Sequence, residues 1–218
     1  LITGSKGQLG MQIEKDFSRF IKNKNLELFP MSKNEFDITD NLKCEEIILN
    51  LRPDWVINCA AYTNVEQAEI HKEEAEKVNI IGPRNLAKVI KKINSKILHI
   101  STDYVFNGNQ RIPYKTDQEK SPLNFYGYTK SEGEDILIEI LEKNSVILRT
   151  GWLYGSYGKN FLLTMLNLHN IKSKKGEIIN VIDEQIGSPT STSSISEICW
   201  RIIKNENDSL QNILHWSN

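Results

Sequence analysis

Apolar positions along the chain alternate between short continuous runs and stretches at helical spacing. Leu1-Ile2-Thr3 is a strand-like run, and Leu9, Ile13, Phe17, Phe20 and Ile21 then recur on one helical face. Residues 26–29 read as a second strand. Asp37 and Asp40 offer N-cap side chains to a helix carrying Leu42, Ile47, Ile48 and Leu51. The pattern then predicts a strand over 55–58, a helix over 66–93 kinked at Gly82-Pro83, and a strand over 96–101. A helix over 126–143 and a strand over 145–148 follow. Strands that are apolar on both faces and alternate with amphipathic helices imply a parallel sheet covered on both sides, the Rossmann-like doubly wound α/β class. Beyond residue 151 the pattern loosens, with a helix expected at 160–169, a strand near 178–182, a helix near 193–204 and a strand at 213–216. In such a sheet, ligands bind at the carboxyl ends of the strands.

Composition narrows the class without changing the picture. The 218 residues are 39% hydrophobic and 25% charged, which fits a folded globular chain and excludes disordered or collagen-like material. The 27 basic and 28 acidic residues nearly cancel, and the lysines are scattered, so neither a nucleic-acid nor a membrane patch is predicted. Cys44, Cys59 and Cys199 are widely spaced and odd in number, which points away from a disulfide framework and toward the reducing cytoplasm. No apolar run reaches the ~20 residues of a membrane span. The sequence opens inside a strand, so a start further upstream is expected, and apolar surface is expected where further helices would lie.

The segment Thr3-Gly4-Ser5-Lys6-Gly7-Gln8-Leu9-Gly10 places GxxGxxG between the first strand and the first helix. Glycines there let the backbone approach a pyrophosphate, while the helix N-terminus presents free N–H groups to the anion. Even with 12 glycines, chance supplies this spacing only roughly 0.04 times, so a ligand loop outweighs a bare glycine turn. Lys6 invites comparison with a P-loop, but no Gly-Lys-Ser/Thr follows at the required spacing.

Tyr126-Gly-Tyr-Thr-Lys130 sets a phenol and an ammonium four residues apart, on one helix face. A neighbouring ammonium favours the phenolate and would lower the tyrosine pKa. The pair alone is weak, because chance supplies it about 0.7 times and a tyrosine beside a solvated lysine is common. Ser101-Thr102-Asp103 ends a predicted strand, where a hydroxyl reaches the ligand edge, and Asn58-Cys59-Ala60-Ala61-Tyr62-Thr63 leaves another strand at the same edge.

In this order and spacing, the glycine loop, the strand-end Ser-Thr and Tyr-x-x-x-Lys resemble the extended short-chain dehydrogenase/reductase family. Segments 60–69, 101–108, 124–130, 149–154 and 181–190 are similar to its dTDP-4-dehydrorhamnose reductase branch, and the likeness covers nearly the whole chain. The last two segments favour that branch over nucleotide-sugar epimerases and dehydratases. The resemblance implies that residues 1–150 form an NAD(P)-binding Rossmann domain. Residues 151–218 would be part of a nucleotide-sugar lobe interleaved with returning Rossmann elements. The implied reaction is reduction of the C4 ketone of dTDP-4-dehydro-L-rhamnose to dTDP-L-rhamnose by NADPH or NADH. The implied partner is a dTDP-sugar, with a homodimer as the candidate assembly.

Residue by residue, the resemblance makes Tyr126 the proton donor, Lys130 the group that lowers its pKa and holds the nicotinamide ribose, and Thr102 the anchor of the carbonyl oxygen. Gly4, Gly7, Gln8, Leu9 and Gly10 match the pyrophosphate loop, and Asp37 and Ile38 the adenine neighbourhood. Ala60, Ala61 and Tyr62 match the cofactor's path, and Thr63, Val65, Tyr104 and Trp152 the sugar site. Trp152 reads equally well as a core residue.

An NAD-selective fold places a carboxylate at the end of the second strand, and residues 29–33 carry none. Ser32 and Lys33 are therefore candidates to take a 2′-phosphate, with NADPH used at least as well as NADH.

Gly151 stands where many relatives have serine, which is expected to loosen the loop before Trp152. Gln12 stands where some carry a magnesium-binding glutamate. A neutral amide is a poor ligand for a hard cation, and the four histidines lack ligand spacing, so no metal is predicted. Two alternatives compete: a non-catalytic NAD(P)-binding regulatory subunit resembling that of methionine adenosyltransferase, and an epimerase or dehydratase of nucleotide sugars.

Overall fold

The computed structural model describes residues 1–21, 26–204 and 212–218. Six parallel strands form the main sheet: β1 (Ile2–Thr3), β2 (Pro30–Met31), β3 (Trp55–Asn58), β4 (Lys96–Thr102), β5 (Ser145–Thr150) and β8 (Ile213–His215). Their spatial order is β2-β1-β3-β4-β5-β8. The sequence runs outward in one direction from β1 and in the other from β3, so a crevice opens between them at the carboxyl edge. Two further strands, β6 (Leu153–Tyr154) and β7 (Thr190–Ser191), form a separate parallel pair.

The pleat divides the core. Leu1, Val56, Ile97 and Ile147 point to one face, where α2 (Asn41–Leu51), α5 (Gly82–Ile93) and α6 (Phe125–Leu141) bury Ile48, Leu86, Ile90 and Leu137. Their neighbours Ile2, Ile57, Leu98 and Leu148 point to the other face and meet Leu9 and Ile13 of α1 (Gln8–Phe20) and Ile195 and Trp200 of α8 (Thr192–Lys204). Period-two alternation thus feeds two helical layers. Asp40 caps α2 by accepting from the Lys43 amide, and Asn124 caps α6 by accepting from Gly127.

Three predicted elements differ. The second strand is Pro30–Met31, and residues 26–29 precede it as an extended segment whose Phe29 carbonyl accepts from Ile2. The long helix expected over 66–93 is broken into α3 (Val65–Ala68), α4 (Lys72–Glu76), a π turn (Lys77–Ile81) and α5. The first break coincides with Glu69 turning its carboxylate to the Phe125 amide at 2.7 Å. The strand expected near 178–182 does not form, because no strand lies beside it, and Ile178, Val181 and Ile182 face solvent. Among the described residues α7 (Phe161–Lys172) buries none of its side chains, leaving Phe161, Leu162 and Leu166 exposed.

Candidate active site

The glycine loop and the start of α1 lie in the crevice between β1 and β3. Gly4 has φ +66°, and a Cβ there would stand 2.8 Å from the Ala60 amide nitrogen. The loop is therefore pressed against the Ala60-Ala61 segment leaving β3. At Gly10 a Cβ would meet the Gly4 carbonyl oxygen at 2.5 Å, so this glycine is needed for the helix to sit on the loop. Gly7 is the N-cap and has no side chain to occupy the first-turn N–H groups, and the first turn carries no acid. Those donors and the dipole suit an anion, so the loop fits the pyrophosphate of a dinucleotide.

The Gln8 side chain is engaged on both polar ends. Its Nε2 donates to the Leu153 carbonyl at 3.2 Å and its Oε1 accepts from Asn160 at 2.7 Å, tying the loop to the second part of the chain. Leu9 packs into the core.

At the end of β2 the structure corrects the expectation of a site free of carboxylates. The turn after Met31 brings Glu35 back, and its Oε2 accepts from the Ser32 amide at 2.8 Å and the Ser32 hydroxyl at 2.6 Å. These Ser32 hydrogen bonds hold Glu35 below the usual carboxylate range, with a smaller contribution from the Lys6 charge. Lys33 is exposed. Asp37 is engaged by Thr39, whose amide and hydroxyl both donate to Oδ1. Ile38 is buried in the core, with its side chain against Gly82 and its carbonyl accepting from Cys44 and Asn85.

The strand-end hydroxyls and the tyrosine come together as the sequence implies. Thr102 ends β4 at the carboxyl edge and Tyr126 stands in the first turn of α6, both buried. Burial pushes the Tyr126 phenol up to about 12, against a hydrogen bond from Thr102 that favours the phenolate, and the nearby Asp103 and Tyr104 add to the rise. The expected lowering by Lys130 is absent, because that side chain turns away. Its Nζ lies 2.8 Å from the Ile100 carbonyl and 3.0 Å from His99 Nε2.

Tyr104 packs edge to face on Tyr126, with ring centroids 5.6 Å apart. Beside them opens a cavity of about 500 Å³ lined by Asp103, Tyr104, Asn124, Trp152, Glu184 and Ile186, among others. Trp152 is no core residue. It is 40% exposed, has φ +48° and rests on Gly187, where a Cβ would meet the ring at 2.8 Å. Gly151 does more than loosen the loop, since a side chain there would enter the space of the Asp103 carboxylate. Thr63 and Val65 do not line this cavity: Thr63 is exposed, and Val65 packs on the cluster holding Tyr126.

Several residues that the sequence did not single out support the site. Asn79, in the π turn, accepts from the Tyr62 amide and donates to the Tyr62 carbonyl and the Thr129 hydroxyl, clamping the loop after β3 to α6. Such turns recur where a helix must re-aim a side chain. Glu134 is fully buried and receives Arg149 at 2.7 Å and the Ser101 hydroxyl, which pins α6 to β4 and β5. Arg149 also reaches His215 at 3.2 Å, which joins β8 to the same network. Gln12 donates to Asp16 at 2.8 Å, and the described residues hold no cluster of three or more metal-ligating side chains. No helix among them is long and apolar enough to cross a membrane.

The sequence profile of the RmlD substrate binding domain family matches residues 1–218. A dTDP-4-dehydrorhamnose reductase of Aggregatibacter actinomycetemcomitans is 41% identical, over 93% of this chain and 66% of its own length. A dTDP-4-keto-6-deoxy-D-glucose reductase of Streptomyces niveus is 36% identical, over 90% of this chain and 66% of its own. The chain thus spans about two thirds of the length of these curated relatives. The crystal structure of a Bacillus anthracis dTDP-4-dehydrorhamnose reductase in complex with NADP superposes with a TM-score of 0.90 at 37% identity, covering 100% of this chain and 73% of that one.

Proposed function

The chain belongs to the RmlD substrate binding domain family, and from that premise we propose that it is the core of an NAD(P)H-dependent reductase. The substrate we assign is a dTDP-linked 4-keto-6-deoxyhexose, dTDP-4-dehydro-L-rhamnose, with dTDP-L-rhamnose as the product. The observation that carries this reading is that Thr102 ends β4 at the carboxyl edge beside β3, and that Tyr126 packs on Tyr104, which lines the cavity with Trp152. A cofactor laid along Ala60–Tyr62 and a sugar in that cavity would meet at those two hydroxyls.

Bound NAD(P)H supplies the hydride. Everything else falls to the chain. Gly4, Gly7 and Gly10 with the α1 N-terminus hold the pyrophosphate, and Thr102 orients the C4 oxygen. Tyr126 gives its phenolic proton to that oxygen as charge develops there. A phenol pushed up to about 12 stays loaded with its proton at neutral pH, which suits a donor. Lys130 serves the nicotinamide ribose and, once turned from His99, the phenolate left behind. In the first part of the chain, residues 1–150 act as the cofactor domain. Segment 151–191 and its cavity wall act as sugar lobe, while α8 and β8 return to the Rossmann layers. The free thiols of Cys44, Cys59 and Cys199 fit a cytoplasmic enzyme.

Glu35 at the end of β2 argues that NADH is accepted as well as NADPH, since its carboxylate can take a ribose hydroxyl. Purified protein, NADPH and dTDP-4-dehydro-L-rhamnose should give stoichiometric loss of NADPH and formation of dTDP-L-rhamnose. NADPH binding without turnover by the intact protein would favour the regulatory-subunit alternative, and sugar conversion without net cofactor loss would favour an epimerase or dehydratase.

A further inference from the structure

A chain of buried polar groups runs behind the site, from β1 through β3 and β4 to α6, and its donors and acceptors can be assigned one by one. The Ala60 backbone N–H can only donate, and it reaches Asn58 Oδ1 at 3.2 Å. The Thr3 hydroxyl donates to the same oxygen at 2.7 Å. This fixes the Asn58 amide, so its Nδ2, which carries only hydrogens, faces His99 Nδ1 at 2.9 Å. Nδ1 must therefore accept. An imidazole with its lone pair on Nδ1 carries its hydrogen on Nε2, and that N–H points at Lys130 Nζ 3.0 Å away. An imidazolium is excluded because it would set two donors against each other at Nδ1. A nitrogen that accepts from Nε2–H needs a lone pair, so the matching form of Lys130 is the neutral amine, with one of its own hydrogens on the Ile100 carbonyl at 2.8 Å.

We propose that His99 is a positioning residue: locked by Asn58 as the Nε2–H tautomer, it biases Lys130 toward the neutral amine in the ligand-free protein. Lys130 then takes a proton from solvent when its Nζ leaves His99 for the nicotinamide ribose. The second statement rests on the cofactor reading above, whereas the first does not. The balance is simple: R–NH2 plus H⁺ gives R–NH3⁺, with no other bond made or broken. Binding thereby favours the ammonium that a phenolate at Tyr126 would need.

Burial lowers Lys130 to about 8, opposed by Glu134 on α6 and Cys59 after β3, so the amine prevails only above about pH 8. Glu134 is already engaged by Arg149 of β5. Burial also raises the Cys59 thiol to about 12 and the Tyr126 phenol of α6 to about 12, so both are neutral there. His99 is driven well below its ordinary value, first by burial and then by Lys130. Asp103, beyond β4, is raised by burial.

The test is spectroscopic. In protein labelled with ¹⁵N at histidine and lysine, the imidazole nitrogens distinguish the two neutral tautomers and the imidazolium, and Nζ distinguishes amine from ammonium. We expect His99 to be the neutral Nε2–H tautomer at pH 9, where Lys130 is the amine, and Lys130 to titrate at or below about 8. Asn58→Asp keeps the shape but offers only acceptors. It should move the His99 hydrogen to Nδ1 and raise the Lys130 titration by at least about one unit.

Calorimetry of NADPH binding at pH 8.5, in two buffers of different ionisation enthalpy, should show about one proton taken up by the natural sequence and about none by Asn58→Asp. An Nδ1–H tautomer or an imidazolium in the natural sequence at pH 9 overturns the proposal. So does an unchanged tautomer in Asn58→Asp. A Lys130 that stays ammonium through pH 9 overturns it too. If NADPH fails to bind, the cofactor reading falls while the tautomer result still decides the role of His99.

Discussion

The two sides of the candidate site are built in opposite ways. On the cofactor side, the polar groups behind the strand ends are buried and partnered: Thr3, Asn58, His99 and Lys130 in one chain, Ser101, Glu134 and Arg149 in another. On the sugar side, the cavity wall includes Trp152 at a positive φ and an irregular segment carrying Glu184, Gln185 and Ile186, and the same part of the chain holds α7 with its apolar residues in solvent. Buried networks are costly to leave half-satisfied and so hold one geometry, which suits proton and hydride positioning. An exposed wall with few partners can change shape at little cost, which suits admitting a bulky ligand. Changes on the first side should therefore strike the chemical step or stability, and changes on the second should strike substrate affinity.

The largest expected effect is Tyr126→Phe, which should cut kcat by about 10²–10⁴ while leaving the NADPH Kd nearly unchanged, because only the proton transfer is lost. Steady-state kinetics beside a binding titration would check it, and an undiminished kcat would remove Tyr126 from its role. Next is Glu134→Ala. It strands Arg149 in the core and should cost about 3–5 kcal/mol in denaturant unfolding.

Stability should also fall on acidification. His99 is held neutral in the folded state, well below its ordinary value, while in the unfolded chain it takes a proton below about 6.5. The unfolded state thus binds more protons there, and stability drops by about 1.4 kcal/mol per pH unit for that one group as pH falls below about 6.5. Urea midpoints across that window would show the slope, and His99→Gln should flatten it.

Across the cavity, Trp152→Ala should raise the sugar KM about fivefold to tenfold with kcat nearly kept. A kcat loss as deep as that of Tyr126→Phe would erase the contrast between the two sides. Smallest is Glu35→Gln, expected to shift the NADPH to NADH ratio of kcat/KM upward by about two- to fivefold, since an exposed charge acts weakly.

The sequence made the rigid side legible where a signal is local. Helical spacing found α1, α2, α6 and α8, the cap at Asp40 follows from residue type, and GxxGxxG joins β1 to α1 as the pattern implied. What escaped depends on partners distant in the chain. The break before α4 involves Glu69 bonding an amide 56 residues away, while its own stretch is rich in helix formers. Asn58 and His99 are polar positions in otherwise apolar strands, and nothing local reveals that they face each other across 41 residues. Glu35 lay outside the window in which a carboxylate is sought, and only the turn through Ser32 brings it back. Residues 178–182 carried a strand-like pattern but had no neighbour to pair with.

The all-parallel sheet has a consequence for the order in which the molecule can be made. No two neighbouring strands are joined by a hairpin: Ile2 pairs with Ile57, Ile97 with Ser145 and Ile147 with Ile213. Each pairing waits for an intervening crossover to leave the ribosome, so β2 can join β1 first, then β3, β4 and β5 in turn, and the sheet shows an unsatisfied β5 edge until Ile213–His215 emerge. Arg149, which His215 reaches only then, belongs to that open edge, so the charge at the centre of the buried network stays open on that side until β8 has been made.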